Sequence, residues 1–153
     1  MKIRPKNNCC SGSSNFVDVG AFSIPSKKTL EIRWTRLVVD EKTCPRCGNT
    51  ETELMKAYET LKQSLSSLKI EVVLKKSEIS LEEFKRNPLV SNQIWINGKL
   101  LEDWLNLSAG KSPCCDVCGP NDCRTIEING KSLEVIPAEL IVKASLFALK
   151  DIL

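Results

Sequence analysis

The chain has 153 residues, of which 42% are hydrophobic and 27% are charged, so the composition predicts one folded globular domain and excludes wholesale disorder. The formal net charge is only +3, which gives no reason to expect a nucleic-acid partner. The absence of histidine excludes Ser-His-Asp and Cys-His catalytic groups and every mixed Cys/His zinc site, so any transition-metal site must depend on sulfur.

The eight cysteines are the most informative part of the composition. The first residues lack the apolar run of a signal peptide, and no apolar stretch reaches the roughly 18 residues that a membrane span needs. We therefore expect a cytoplasmic protein without membrane contact. In that reducing compartment, metal binding or redox chemistry explains the cysteines better than a framework of structural disulfides.

The first 28 residues are predicted to form a flexible basic arm. They contain Asn-Asn, Ser-Gly-Ser-Ser and two prolines, with few apolar residues. The arm carries the adjacent residues Cys9 and Cys10, which either have no role or pass a soft ion to the folded cysteines. The folded domain is then expected over residues 29–153.

The chain after the arm predicts a strand, a helix and a second strand. Leu30–Val39 begins with alternating apolar residues, as in a strand that enters a buried sheet. An apolar stripe then predicts a helix of about five turns, which we expect to start after Gly48, with Thr50 and Glu53 as its capping box. Lys69–Lys76 is rich in β-branched residues and predicts a second strand, parallel to the first.

The next part of the chain predicts a short helix and two hairpins. Ser80 and Glu83 repeat the capping-box signal, and Asn87-Pro88 ends the short helix that they open. The stretches IWINGKLLE and IEINGKSLE, residues 94–102 and 126–134, each centre on Asn-Gly, which favours a two-residue hairpin turn.

The last predicted element is a C-terminal helix. Pro137 stands where it would begin, and we expect it to reach Leu153. Its buried face is expected to consist of Leu140, Ile141, Ala144, Phe147 and Ala148. After the first Asn-Gly pair, a helical turn remains an alternative to a returning strand. The resulting order, β-α-β-α-β-β-α, predicts a three-layer α/β fold with a mixed sheet.

That order, with a CxxC just after the first strand and an apolar strand that runs into WING, resembles the thioredoxin fold. The motifs TCPRCG, SNQIWINGKLLEDWL and SPCCDVCG followed by CRTIEINGKSLEVIPAELI resemble a prokaryotic family of thioredoxin-like proteins catalogued only as a domain of unknown function. Such membership implies the fold and no established reaction.

Two features differ from ordinary thioredoxins. The helix is expected to start after both sulfurs of the CxxC, which would weaken the effect of the helix dipole on the first thiolate. Thioredoxins also place a cis-proline before the strand that corresponds to IWI, and Asn92 occupies that position here.

The first cysteine pair has two interpretations. In a redox pair, Cys44 would attack a disulfide and Cys47 would resolve the intermediate, while the positive charge of Arg46 would favour a thiolate. The same Cys-Pro-Arg-Cys-Gly sequence is also typical of half a zinc site, in which Gly48 permits a tight backbone turn.

The second group of cysteines lies in a segment, residues 108–124, that we expect to be a Cys-rich loop. One arrangement joins Cys44 and Cys47 to Cys115 and Cys118 in a single four-sulfur site, aided by Cys114 or Cys123. Another keeps the first pair redox-active and gives a local metal site to the second group. A third uses the thiols to capture Cu(I), Hg(II) or As(III), and an iron-sulfur cluster ranks below these. The second group consists of Cys114, Cys115, Cys118 and Cys123.

From the sequence, thiol-disulfide exchange with a redox partner protein is the favoured function. The alternative is binding of zinc or another soft metal or metalloid ion by cysteine thiolates, as a structural, sensing or metallochaperone site. No cofactor follows with certainty, and the oligomeric state is not predicted.

Overall fold

The structure is a computed structural model that describes residues 27–114 and 116–153. Predictions about Cys9, Cys10 and Cys115 lie outside the described residues, as does almost all of the arm. Among the described helices, none combines the length and the apolar character that crossing a membrane requires.

Seven strands and four α-helices make up the described chain. The strands are β1 Lys28–Leu37, β2 Ile70–Ile79, β3 Gln93–Ile96, β4 Lys99–Leu100, β5 Ser108–Pro113, β6 Asp122–Ile128 and β7 Lys131–Leu133. The helices are α1 Pro45–Leu65, α2 Leu81–Arg86, α3 Leu101–Leu105 and α4 Ala138–Ala148, and short 3₁₀ turns occupy Ser66–Leu68, Pro88–Val90, Asp116–Cys118 and Leu149–Asp151.

Four strands form a mixed sheet in the order β2-β1-β3-β4. Strand β1 runs parallel to β2, as predicted from the helical crossover, and antiparallel to β3. Strands β5, β6 and β7 form a separate antiparallel sheet. The predicted α/β class with a mixed sheet is confirmed, and the architecture is compatible with a thioredoxin-like fold.

The buried face of the mixed sheet contains Leu30, Ile32 and Trp34 of β1, all fully buried. These side chains belong to one hydrophobic core with the apolar stripes of α1 and α4, such as Leu54 and Ile141. Burial of an aliphatic side chain contributes roughly 1.5–3 kcal/mol, so this core accounts for most of the favourable free energy of folding.

Both Asn-Gly turns close hairpins, as predicted. The first joins β3 to β4 and the second joins β6 to β7, with φ values of 47° and 77° at Asn97 and Gly98 and of 49° and 74° at Asn129 and Gly130. Positive φ at both central residues is the geometry that makes Asn-Gly the favoured pair. The helical turn predicted as an alternative is also present, as α3.

The short helix α2 has the predicted capping box. The Ser80 hydroxyl accepts a hydrogen bond from the Glu83 amide at 3.2 Å, and the Ser80 amide donates to the Glu83 carboxylate at 2.7 Å. The Ser80 hydroxyl also donates to the Glu83 carboxylate at 2.9 Å. The two hydrogen bonds that this carboxylate accepts from Ser80 lower the pKa of Glu83, because they stabilise its charged form.

Two boundaries in the second half differ from the sequence prediction. The segment predicted as a loop from residue 108 begins with strand β5, whose side chains alternate too weakly in polarity to signal a strand. Helix α4 ends at Ala148, and Phe147 is 38% exposed where a buried side chain was predicted, whereas Ser145 is fully buried. The Ser145 hydroxyl is tolerated there because it donates to the Ile141 carbonyl.

Candidate thiolate metal centre

The first cysteine pair lies at the start of α1, just beyond the end of β1. Cys44 is the N-cap residue, with an extended backbone at φ −72° and ψ 159°, and Pro45 is the first helical residue. The Thr43 hydroxyl donates to the Leu37 carbonyl at 2.9 Å and fixes the turn between strand and helix. The helix therefore begins directly after the first sulfur.

The predicted start of α1 was wrong by nearly two turns, because the helix begins at Pro45 and not after a cap at Thr50. Gly48 lies inside the helix, its amide bonded to the Cys44 carbonyl at 2.9 Å, and so it does not form the tight turn expected after the second sulfur. Thr50 is fully buried within α1 and caps nothing. Pro45 was the available signal, because proline is favoured at the first position of a helix.

Thr50 instead belongs to a buried polar network centred on Asn92. The Asn92 amide donates to the Thr50 hydroxyl at 3.2 Å and to the Glu134 carbonyl at 3.4 Å, while its oxygen accepts from the Trp34 indole at 3.1 Å. The Ile136 amide also donates to Thr50 at 3.3 Å. No cis peptide occurs in the described chain, and Asn92 adopts a φ of 58° at the position compared above with the thioredoxin proline.

The second cysteine group reaches the first across the loop between β5 and β6. Cys114 follows β5, Cys118 ends a 3₁₀ turn and Cys123 lies in β6. The sulfur of Cys114 lies 3.9 Å from that of Cys44 and 2.9 Å from that of Cys118, and the Cys123 sulfur lies 3.3 Å from that of Cys118. Segments about 70 residues apart in the chain thus meet at one cluster of thiols.

Three of these sulfurs form the tightest set. The Sγ atoms of Cys44, Cys114 and Cys118 all lie within 4.8 Å of one another, and we call these three residues the thiol triad. Cys47 hydrogen-bonds to Cys44, and Cys123 contacts Cys118, but neither belongs to the set that is mutually close. The structure therefore brings Cys44 of the first pair together with Cys114 and Cys118 of the second group.

The triad is nearly closed to solvent. Cys44 and Cys118 are 0% exposed, Cys47 and Cys123 are 1% exposed, and Cys114 is half-buried. A cavity of 230 Å³ borders Cys114, and a second of 530 Å³ borders Cys118. Cys114 and Cys118 are therefore the triad residues that line a cavity.

The two thiols of the first pair titrate in opposite directions. The hydrogen bond from Cys47 lowers the pKa of Cys44 to about 5, and the same bond, together with burial, raises the pKa of Cys47. Cys44 is therefore the thiolate of the pair at neutral pH. Its place at the N-terminus of a 21-residue helix acts in the same direction, through the helix dipole.

Cys118 and Cys123 stay protonated in the absence of an ion. Burial, the largest cause, raises the pKa of Cys118, and burial likewise raises the pKa of Cys123 to about 12. A metal ion reverses this preference, because coordination to a cation deprotonates a thiol.

Arg46 ties the two regions together. Its guanidinium donates to the Ser112 hydroxyl and the Pro113 carbonyl, both at 3.0 Å, and pairs with Glu134 at 2.9 Å. The Arg46 side chain is only 7% exposed. We predicted from the sequence that Arg46 favours a thiolate, but its described partners are these β5 and Glu134 groups, which fix the position of the chain just before Cys114.

Comparison with known protein families matches residues 30–145 to a domain of unknown function, DUF2703. A protein from Archaeoglobus fulgidus, named only as an uncharacterized protein, is 49% identical over 112 residues, which cover 73% of this chain and 82% of that relative. No solved structure matches the chain.

Proposed function

Since the chain belongs to the family with the domain of unknown function DUF2703, for which no reaction is established, we propose a function from the geometry: a buried thiolate site that binds a soft metal or metalloid ion. One observation carries the proposal. The sulfurs of Cys44, Cys114 and Cys118 come from two distant segments and converge within 4.8 Å of one another.

The distances within the thiol triad support ion binding. Two sulfurs on one tetrahedral zinc ion are about 3.8 Å apart, as follows from a Zn–S bond of about 2.3 Å. The separation of 3.9 Å between Cys44 and Cys114 is close to that value, and the 2.9 Å between Cys114 and Cys118 needs only a small expansion. Thiolates also select soft ions over Mg²⁺ and Ca²⁺, which prefer oxygen.

The packing of the five described cysteines supports a functional role in addition to their place in the hydrophobic core. Cysteines as small apolar residues are common in cores, but five of them converging through thiol-to-thiol contacts would be an unusual way to fill one. Arg46 additionally fixes the segment before Cys114 against α1. An ion would satisfy the sulfurs and link the loop to the helix.

The first test is to purify the protein anaerobically without chelator and to measure bound metals and titratable thiols on the same sample. We expect an ion bound per chain, or stoichiometric uptake of added Zn²⁺ or arsenite, with at least three thiols protected. A protein that has eight titratable thiols and binds neither ion would contradict the proposal.

A second candidate function is thiol-disulfide exchange at Cys44 and Cys47, and the start of α1 favours it. Cys44 at the helix N-terminus, with a pKa of about 5, is a thiolate at neutral pH. Cys44 would attack a substrate disulfide and release one substrate thiolate. Cys47 would then attack the mixed disulfide, releasing the second thiol and leaving a Cys44–Cys47 disulfide.

The exchange candidate is tested by catalysed reduction of insulin with dithiothreitol as the reductant. Cys44→Ser is expected to abolish catalysis, whereas Cys123→Ser, a buried cysteine outside the pair, is expected to retain it. Equal rates for the wild type and for Cys44→Ser would remove this candidate and leave ion binding untouched.

A further inference from the structure

We propose that the thiol triad selects a trivalent ion of the arsenic type, taken up as neutral arsenous acid, over divalent zinc. This inference rests on the proposed ion-binding function and names its ligand class. It follows from three features of the triad: the number of sulfurs, the charge that they leave after binding, and the route to them.

The number of donors favours three-coordination. A structural zinc site is almost always tetrahedral, with four protein ligands. In the part of the chain that the structure describes, the ligand atoms that all lie within 4.8 Å of one another are the three sulfurs of Cys44, Cys114 and Cys118, with no carboxylate among them. Histidine is absent from the sequence. Three thiolates are the number that a pyramidal trivalent centre uses.

The charge balance points the same way. Three thiolates around a divalent ion leave a net charge of −1, whereas a trivalent ion leaves none. Cys44 and Cys118 are fully buried, and an uncompensated charge in such a site is unfavourable because it is removed from water. A neutral complex avoids that cost.

The described cations near the cluster already have partners or face water. Arg46 pairs with Glu134, and Arg36, which lies near Cys47, pairs with Glu51 and Glu78. The exposed lysines that line the cavity beside Cys118 are screened by solvent. These lysines, Lys42 and Lys85, share the cavity with Asp40, which further reduces their effect.

Uptake of arsenous acid needs no oxidant or reductant. Each of the three sulfurs displaces one hydroxyl group: a thiol gives its own proton to the departing hydroxyl, and for the Cys44 thiolate a solvent proton takes that place. Three As–O bonds therefore break, three As–S bonds form, and three water molecules leave. The arsenic stays trivalent throughout. Cys114 is half-buried and borders the 230 Å³ cavity, so it is the sulfur at which a small neutral solute forms the first bond.

The experiment is an anaerobic titration of the full-length reduced protein with arsenite and, separately, with Zn²⁺, followed by competition between the two. The readouts are native mass spectrometry, the number of protected thiols, and X-ray absorption at the arsenic edge. We expect one arsenic per chain, a mass gain of one arsenic less three hydrogens, a shell of three sulfurs, and retention of arsenic in excess zinc.

Matched cysteine variants identify the sulfurs. Cys118→Ser and Cys114→Ser are each expected to weaken arsenite binding by at least about a hundredfold. The control Cys123→Ser, also buried and in contact with Cys118, is expected to change it by less than about threefold. Circular dichroism and thermal melts verify the fold of each variant. If Cys118→Ser does not fold, the result for Cys114→Ser decides the test, because Cys114 is only half-buried.

The outcomes separate the two proposals. Zinc bound more tightly than arsenite, with four thiols protected, would overturn the inference and leave the proposed function in place. Binding of neither ion would overturn both. Arsenite binding that survives Cys114→Ser and Cys118→Ser but is lost in the double variant Cys9→Ser, Cys10→Ser would assign the ion to the N-terminal pair and overturn the inference.

Discussion

The two CxxCG segments of this protein have the same sequence pattern and different structures. Cys44 to Gly48 opens a 21-residue helix, with the first cysteine as its cap and the glycine inside it. The second segment ends in a single 3₁₀ turn, and its glycine, Gly119, has a φ of 66°. A CxxCG pattern therefore sets how many residues separate two cysteines in the sequence but not the backbone conformation around them.

The segments also differ in how they are anchored. The first is part of α1, whose apolar stripe packs in the core and whose Thr50 joins the Asn92 network. The second is held at its two ends, by the contacts of Arg46 with β5 and by the buried Cys123 in β6. This contrast predicts that the first segment is rigid and that the second segment adjusts its position when an ion binds.

The largest stability effect is expected from the anchor of the first segment. Asn92→Ala removes the partners of the Trp34 indole and the Thr50 hydroxyl inside the core, so we expect a loss of about 3 kcal/mol in unfolding free energy, measured by urea denaturation. Asn106→Ala is the control, because Asn106 has a similar φ of 52° but is exposed. Its loss should be about 1 kcal/mol. Equal losses would mean that the network contributes nothing beyond backbone conformation.

The next effect concerns the link between the segments. Arg46→Ala removes the hydrogen bonds to Ser112 and to the Pro113 carbonyl, so we expect a loss of about 2 kcal/mol and an ion affinity about tenfold weaker. Arg36→Ala is the matched control. Arg36 pairs with Glu51 and Glu78, and none of its described hydrogen bonds reaches β5 or the segment before Cys114, so ion affinity should change by much less than tenfold. An unchanged ion affinity in Arg46→Ala would show that the hydrogen bonds of Arg46 do not contribute to ion binding at the thiol triad.

A smaller destabilisation is expected at the glycine of the second segment. Gly119→Ala places a side chain at a φ of 66°, although nothing lies within 4 Å of the added carbon. The cost is therefore conformational, about 1 kcal/mol. Denaturant titration of the ion-free protein measures it, and no loss of stability would show that the turn is too mobile to impose its backbone angle.

The smallest effect has the opposite sign. Gly48→Ala adds a methyl group inside α1, where the nearest atom is Thr43 Cγ2 at 3.9 Å, an ordinary contact. Alanine favours a helix over glycine by up to about 1 kcal/mol, so we expect a stabilisation of that size. The same titration as for Gly119→Ala gives the comparison. Destabilisation here would mean that the first segment, like the second, depends on a special backbone conformation.

Much of the fold was predictable from local chemistry. Alternation in β1, the β-branched run in β2, the capping box of α2 and the two Asn-Gly turns each depend on neighbouring residues, and each was confirmed. The start of α1 was missed because Gly48-Asn49 resembles a break in a helix, whereas Cys44 and Pro45 provide the cap. Strand β5 was missed because SAGKSP has little strand propensity and forms through pairing with β6.

The sequence by itself determined the sulfur-only chemistry of any transition-metal site, through eight cysteines without histidine, and the local elements that carry those cysteines. Only the tertiary structure decided that Cys44, Cys114 and Cys118 meet, and that Asn92 links the core to α1. The physical reason is that spacing along a chain sets local geometry, while contacts across about 70 residues depend on how the sheets pack and where a loop crosses them.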